Sequence, residues 1–169
     1  MSLRPYRGGS DADALWELKR AFELGLGSET GADSKADLYA EKLSPEYREK
    51  YLAWVDRCVE REAECVQLAT IEERDAGDEG DVVGYAFLLP ESHAYIWDAA
   101  VLNEIYVRPE HRGTGIGDEL LEAALGHAQT QDLPLDRIVL DVDGSNKRAK
   151  AFYARHGFDR WGEMVARDL

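Results

Sequence analysis

Apolar positions along the chain alternate between period-two runs and longer stretches of helical spacing. Leu3 to Arg7 predicts a first strand. Ser10 and Asp11 then offer an N-cap to a helix with Leu15, Leu18, Ala21 and Phe22 on one face. Gly25 to Ser34 reads as a polar, glycine-bearing loop. A second helical region follows, re-initiated by Ser44 as N-cap and Pro45 in the first turn. Its stripe is Tyr47, Tyr51, Trp54, Val55, Cys58 and Val59. Cys65 to Glu72 and Val82 to Pro90 flank the acidic turn Asp75 to Gly80 and predict a hairpin, with Val101 to Val107 as a third strand. The helix from about Thr114 to Gln129 turns Ile116, Leu120, Ala124 and Ala128 inward, with Leu121 and Leu125 alongside. Arg137 to Val142 is strand-like, Asn146 to His156 is a helix closed by Gly157, and Phe158 to Leu169 is extended. The predicted order is β-α-α-β-β-β-α-β-α-β, a mixed α/β layer forming one domain over residues 1–169.

Composition narrows the class. With 169 residues, 44% of them hydrophobic, the chain can bury a proper core. No apolar run approaches membrane-spanning length, and Met1 to Pro5 shows no signal-peptide core, so a cytoplasmic protein with no membrane partner is expected. Cys58 and Cys65 are too few for a disulfide framework and lack zinc-type partners. They read as buried apolar residues, with no metal. Thirty-four acidic against 20 basic residues give a net charge of −14, which disfavours binding to a nucleic-acid backbone. Such an acidic, lysine-poor surface suits a high-salt cytoplasm, and equally a merely acidic mesophilic protein.

The chemistry concentrates where the strand Ile105–Val107 runs through Arg108, Pro109, Glu110 and His111 into Arg112-Gly113-Thr114-Gly115-Ile116-Gly117 and a helix. A glycine loop feeding a helix N-terminus converges backbone N–H groups on an anion, aided by the helix dipole. The dinucleotide fingerprint fails because Asp118 stands where its third glycine belongs. The P-loop fails because Asp118 and Glu119 replace Lys and Ser/Thr. What remains is Arg112-x-x-Gly115-x-Gly117 after a Val-x-Pro strand end, and a plain tight turn also satisfies it.

That pattern resembles the acyl-CoA motif of the GNAT superfamily of N-acyltransferases. Leu140 to Phe158 resembles the family's second motif: a strand, Asn146 near the next helix start, Ala149, the pair Phe152-Tyr153, and Gly157-Phe158. The predicted element order is also the GNAT order, with a mixed, mostly antiparallel central sheet and helices on both faces. The resemblance implies acetyl-CoA as acyl donor. Backbone groups of Ile105 and Val107 would meet the pantetheine, Val107 N–H would serve the oxyanion, residues Arg112, Gly113, Thr114, Gly115, Ile116 and Gly117 would hold the pyrophosphate, and Asn146 would hold the pantetheine. Arg108, His111 and Arg112 supply local positive charge in an anionic chain. Asp118, an acid in the first helical turn, competes with a phosphate there.

Acyl transfer to an amine needs a proton acceptor, because an ammonium of pKa about 10.4 is no nucleophile. It also needs an oxyanion donor and an acid for the departing thiolate. Neither cysteine lies in a motif, so direct attack in a ternary complex is the simpler scheme. Period-two alternation places Glu104 with Tyr106 on one face of their strand, opposite Asn103, Ile105 and Val107. Family resemblance makes Glu104 the base and Tyr153 the acid. The alternatives are a structural strand carboxylate and a packing tyrosine. The acceptor, a primary amine on a small molecule or a protein, is expected against Leu26 to Tyr39 and Glu91 to Asp98, including His93, Tyr95 and Trp97. His93, His127 and His156 read as unpartnered surface residues. A homodimer is compatible with the fold. A catalytically silent acyl-CoA-binding sensor or interaction module is the competing reading.

Overall fold

The computed structural model describes the backbone of residues 1–29, 33–72 and 80–169, with side chains over the same residues except 27–29 and 33–36. In chain order the elements are β1 (Ser2–Pro5), α1 (Ala12–Glu29), α2 (Asp33–Lys42), α3 (Pro45–Arg61), β2 (Val66–Ile71) and β3 (Asp81–Leu88). They continue with β4 (Ala100–Val107), α4 (Ile116–Ala128), β5 (Ile138–Val139) and α5 (Lys147–Arg155). The strands lie side by side in sequence order. The first three pairings are antiparallel, and β4 with β5 is parallel.

Each face of this sheet is sealed by helices, as expected from an α/β layer. On one face Leu15 and Leu18 of α1 and Tyr51, Val55 and Cys58 of α3 pack on Val66, Leu68, Tyr85 and Phe87. On the other, Leu120, Leu121 and Ala124 of α4 cover Ala69, Val83, Ala86, Leu88 and Leu102, with Phe152 and Tyr153 of α5 beside them. The start of α3 matches its sequence signal: Pro45 opens the helix, and the Ser44 side chain accepts a hydrogen bond from Tyr47 N at 3.1 Å. Cys58 and Cys65 are buried and free.

Three expectations change. The loop predicted from Gly25 is helix through Glu29, and α2 opens at Asp33. Each of the two glycines in α1, Gly25 and Gly27, costs only about 1 kcal/mol. Buried Glu23 compensates, pairing with Lys19 at 2.5 Å within α1 and with Lys42 of α2 at 2.7 Å. The predicted hairpin forms as β2 and β3, while most of its acidic turn lies outside the described residues. The strand expected over Arg137–Val142 shrinks to Ile138–Val139, because β4 pairs with it only at Ala100↔Ile138 and Val101↔Val139. Beyond those two pairs it has no ladder partner. The same shortness removes the last strand: residues 159–169 are exposed and form no strand, since two residues are too short a template. Trp161 instead packs beneath the Arg137 guanidinium, 3.5 Å from its ring centre.

Candidate active site

The site begins where β4 leaves regular alternation. Phe87 pairs with Glu104 and Leu88 with Leu102, so Asn103 is an extra residue, a β-bulge. The bulge reverses the side-chain phase. Leu102 joins the α4 side, whereas Glu104 and Tyr106 face α1 and α3, and Ile105 and Val107 face α4. The predicted faces of residues 104–107 therefore hold. Asn103 departs from them, exposed and donating its amide to Glu104 Oε1 at 3.2 Å. Arg108 N donates to Val83 O, which makes Gly84↔Val107 the non-hydrogen-bonded kind of pair. By alternation the backbone groups of Val107 and Ile105 point away from β3, toward the gap left by β5.

After β4 comes a short 3-10 turn, Pro109–His111, then the glycine loop. Gly113 and Gly115 have φ of +78° and +93°, a region that other residues enter at a cost of about 1–2 kcal/mol each. Thr114 Oγ1 ties the loop to His111 O at 2.6 Å. Gly115 occupies the N-cap of α4 and supplies no side-chain cap, so the first N–H groups of that 13-residue helix keep no side-chain acceptor there. Gly117 sits against α5: a Cβ there would stand 3.5 Å from the Phe152 ring, in ordinary van der Waals contact. Asp118 turns away from the loop toward α5, accepting from Arg155 at 2.5 Å and His156 Nε2 at 2.7 Å. The hydrogen bond from Arg155, then that from His156, holds its carboxyl below the ordinary carboxylate range. The competition expected from this residue is thereby relieved. His156 and His127, which hydrogen-bonds Glu62 at 2.9 Å, are consequently partnered rather than the lone surface residues expected.

Between the parted strands lies a cavity of about 370 Å³. Glu104, Ile105, Arg112, Asn146 and Tyr153 all line it, although Asn146 and Tyr153 come from a segment over thirty residues further on than Arg112. Val107 and residues 113–117 are not part of that wall. Arg112 donates from Nε to Val107 O at 2.9 Å and lies 5.4 Å from the Tyr106 ring centre. Asn146 caps α5, its Oδ1 accepting from Ala149 N at 3.0 Å while the residue also faces the cavity. Tyr153 packs against Phe152 and Phe158, and burial pushes its hydroxyl up to about 12, so it stays protonated at neutral pH. A protonated hydroxyl can give a proton to an anion.

Glu104 is 5% exposed. Its carboxylate accepts from Lys19 Nζ at 2.6 Å, Tyr85 OH at 2.7 Å and Tyr51 OH at 2.8 Å, besides Asn103. Burial and the neighbouring carboxylate hold both tyrosine hydroxyls well above their ordinary value, so they act as fixed donors. Burial opposes the charge on Lys19, but Glu104 and Glu23 outweigh it, and the ammonium is held above its ordinary value. A second, open groove of about 340 Å³ lies on the α3 side, lined by Tyr47, Lys50, Tyr51 and Trp54. Lys19, Asn103 and Glu104 line both spaces.

Sequence reasoning missed Lys19, Tyr51 and Tyr85. Their signal was faint but present: Leu15, Lys19 and Glu23 recur every fourth residue on a buried face of α1, two charges inside an apolar stripe. Leu26 and Tyr39, from the segment expected on the acceptor side, line the larger cavity together with Phe22, Glu23 and Lys42. His93, Tyr95 and Trp97 line neither space, and Tyr95 is 83% exposed.

Residues 31–158 match the family model described as the acetyltransferase (GNAT) family. The chain belongs to that family. Among curated relatives, the mycothiol acetyltransferase of Salinispora tropica is 32% identical over 168 residues, covering 98% of this chain and 47% of its own length. The mycothiol acetyltransferase of Paenarthrobacter aurescens is 29% identical, covering 98% of this chain and 44% of its own. The chain thus spans about half the length of these curated relatives. The GNAT fold recurs in the PaiA N-acetyltransferase of Thermoplasma acidophilum, solved in complex with coenzyme A. There the TM-score is 0.69 at 21% identity, over 94% of this chain and 91% of that one. A GCN5-related N-acetyltransferase from Ralstonia eutropha aligns with a TM-score of 0.67 at 20% identity, over 99% and 97% of the two chains. Among the described residues, no helix is long and apolar enough to cross a membrane.

Proposed function

We propose that this GNAT chain works as one catalytic unit that transfers an acetyl group from acetyl-CoA to a primary amine by direct attack in a ternary complex. The observation that carries the reading is the parting of β4 from β5 after Val101↔Val139, with Glu104 and Tyr153 on the walls of the resulting cavity. A pantetheine arm fits such a gap because the backbone of Ile105 faces it without a strand partner, and Val107 N–H, just beyond the cavity wall and turned the same way, is assigned to the thioester oxyanion. The pyrophosphate is assigned to Arg112, Gly113, Thr114, Gly115, Ile116 and Gly117 at the uncapped start of α4. Asn146 is assigned to the pantetheine.

In this scheme Glu104 takes the proton from the acceptor ammonium, directly or through water. The freed amine attacks the thioester carbonyl. The CoA thiolate leaves with a proton from Tyr153, whose buried hydroxyl is held protonated, and the second proton that the nitrogen loses as the amide forms passes through water to restore Tyr153. The named activity of the relatives puts mycothiol-related amines at the head of an acceptor panel, ahead of other small amines and protein termini.

One observation favours a second reading, an acyl-CoA-binding module without turnover. The Glu104 carboxylate is already engaged by four donors, an arrangement that also suits a purely structural anchor. A thiol-release assay across the amine panel separates the two. Turnover that falls on the order of a hundredfold in Glu104→Gln and tenfold or more in Tyr153→Phe is expected. Coenzyme A binding by calorimetry with no thiol release on any amine would instead favour the module.

A further inference from the structure

Lys19 is the residue that neither motif predicts and that the site cannot be described without. It sits on the apolar face of α1, 4% exposed, where a lysine is rarely found without a reason. Its Nζ lies 2.6 Å from Glu104 and 2.5 Å from Glu23, and 4.9 Å and 5.4 Å from the ring centres of Tyr51 and Phe22. Glu23 in turn is held by Lys42. Charges therefore alternate along Lys42, Glu23, Lys19 and Glu104, from α2 through α1 to the bulge of β4. A buried ion pair gives little net stability, because desolvation consumes most of the attraction, so stability alone explains it poorly. Its place is more telling: Lys19 and Glu104 form the shared wall of the two spaces, where donor and acceptor have to meet in a ternary complex.

We infer that Lys19 is a positioning residue that holds the Glu104 carboxylate aimed at the junction of the two spaces, where the acceptor has to arrive. The inference rests on the acetyl-transfer reading for its kinetic consequence, not for its structural one. Two acceptor-only oxygens buried at 5% exposure need hydrogen-bond donors to fix their orientation. Lys19 is the cation in hydrogen-bond contact. Lys42 and Lys50 stand farther along the same walls, while Tyr47, Tyr51 and Tyr85 contribute neutral hydroxyls and Glu23 opposes the charge. Tyr39, Tyr106, Arg112, Asp141, Asp143, Arg148 and Tyr153 complete the titratable groups around the cavity. Removing the Lys19 ammonium therefore takes away the strongest donor that orients Glu104 Oε1.

Two measurements test this. In the thiol-release assay, Lys19→Met should lower kcat on the order of tenfold while KM changes less than about twofold. Lys19→Arg, which keeps the cation, should restore kcat to near the parent's. An unchanged kcat, or a loss carried by KM alone, overturns the inference even if the enzyme is active. The second measurement needs no turnover: ¹³C NMR of glutamate side-chain carboxyls at one neutral pH, with Glu104 assigned through Glu104→Gln. The Glu104 resonance should move in Lys19→Met relative to the parent, and Lys19→Arg should follow the parent. Should Lys19→Met fail to fold, Lys19→Gln is measured in its place, and an unmoved Glu104 resonance there refutes the role. An inactive parent with the predicted NMR shift would reject acetyl transfer while leaving the Lys19–Glu104 assignment standing.

Discussion

At the scale of single residues, the site combines groups with opposite needs. Gly115 contributes a left-handed backbone, at φ +93°, and Tyr153 a hydroxyl that burial keeps protonated. Gly115→Ala should cost about 1–2 kcal/mol of stability from the left-handed conformation alone, read as a lowered denaturant midpoint, and should weaken coenzyme A binding in calorimetry. Tyr153 has a definite pH signature. Its folded value is raised to about 12 against an ordinary 10.0, so folding favours the neutral form. Its stabilising contribution is complete below pH 10 and is lost as pH rises toward 12. Tyr153→Phe should therefore unfold with a weaker dependence on pH across that window than the parent, as followed by circular dichroism. These two residues were both legible in the motifs. Lys19, Tyr51 and Tyr85 were not, because helical and strand periodicity marks which side chains are buried but not which of them meet.

At the scale of elements, local signals worked where they were self-contained. The Ser44–Pro45 start of α3 is one such case, complete within a few residues. Ser44→Ala should cost about 1 kcal/mol, seen as a lower midpoint with an unchanged m-value. Local signals failed where an element depends on a distant partner. α1 runs past Gly25 with its Glu23 bonded to Lys42 of the next helix, and β5 stops after two residues because β4 bulges away at Asn103. That bulge also opens the cavity and reverses the faces of β4. A one-residue insertion in a ladder has no periodicity of its own, since its meaning lies in the pairing with β3.

At the scale of the molecule, charge is the dominant variable. Burial alone would raise the carboxyls of Asp11 and Glu23, but Arg4 outweighs it for Asp11 and Lys19 for Glu23, so both lie below their ordinary 3.8 and 4.5. A carboxyl lowered in the folded state stabilises above its ordinary value, and the contribution disappears as pH falls through the folded one. Unfolding curves should accordingly show stability declining below about pH 4.5 through these two groups. A net charge of −14 adds self-repulsion that salt screens, so the unfolding midpoint near neutral pH should rise between low and molar KCl.

The amino-acid order alone determined the layered α/β class, the glycine loop with its helix, and the two motifs of the family, because each of these is a property of near neighbours in the chain. The tertiary structure decided which groups share a wall: Tyr153 and Asn146 across from Arg112 and Glu104, and Lys19 against Glu104. Such contacts join residues as many as 85 positions apart, as Lys19 and Glu104 are. Their energy depends on distance and burial, which only the folded chain sets.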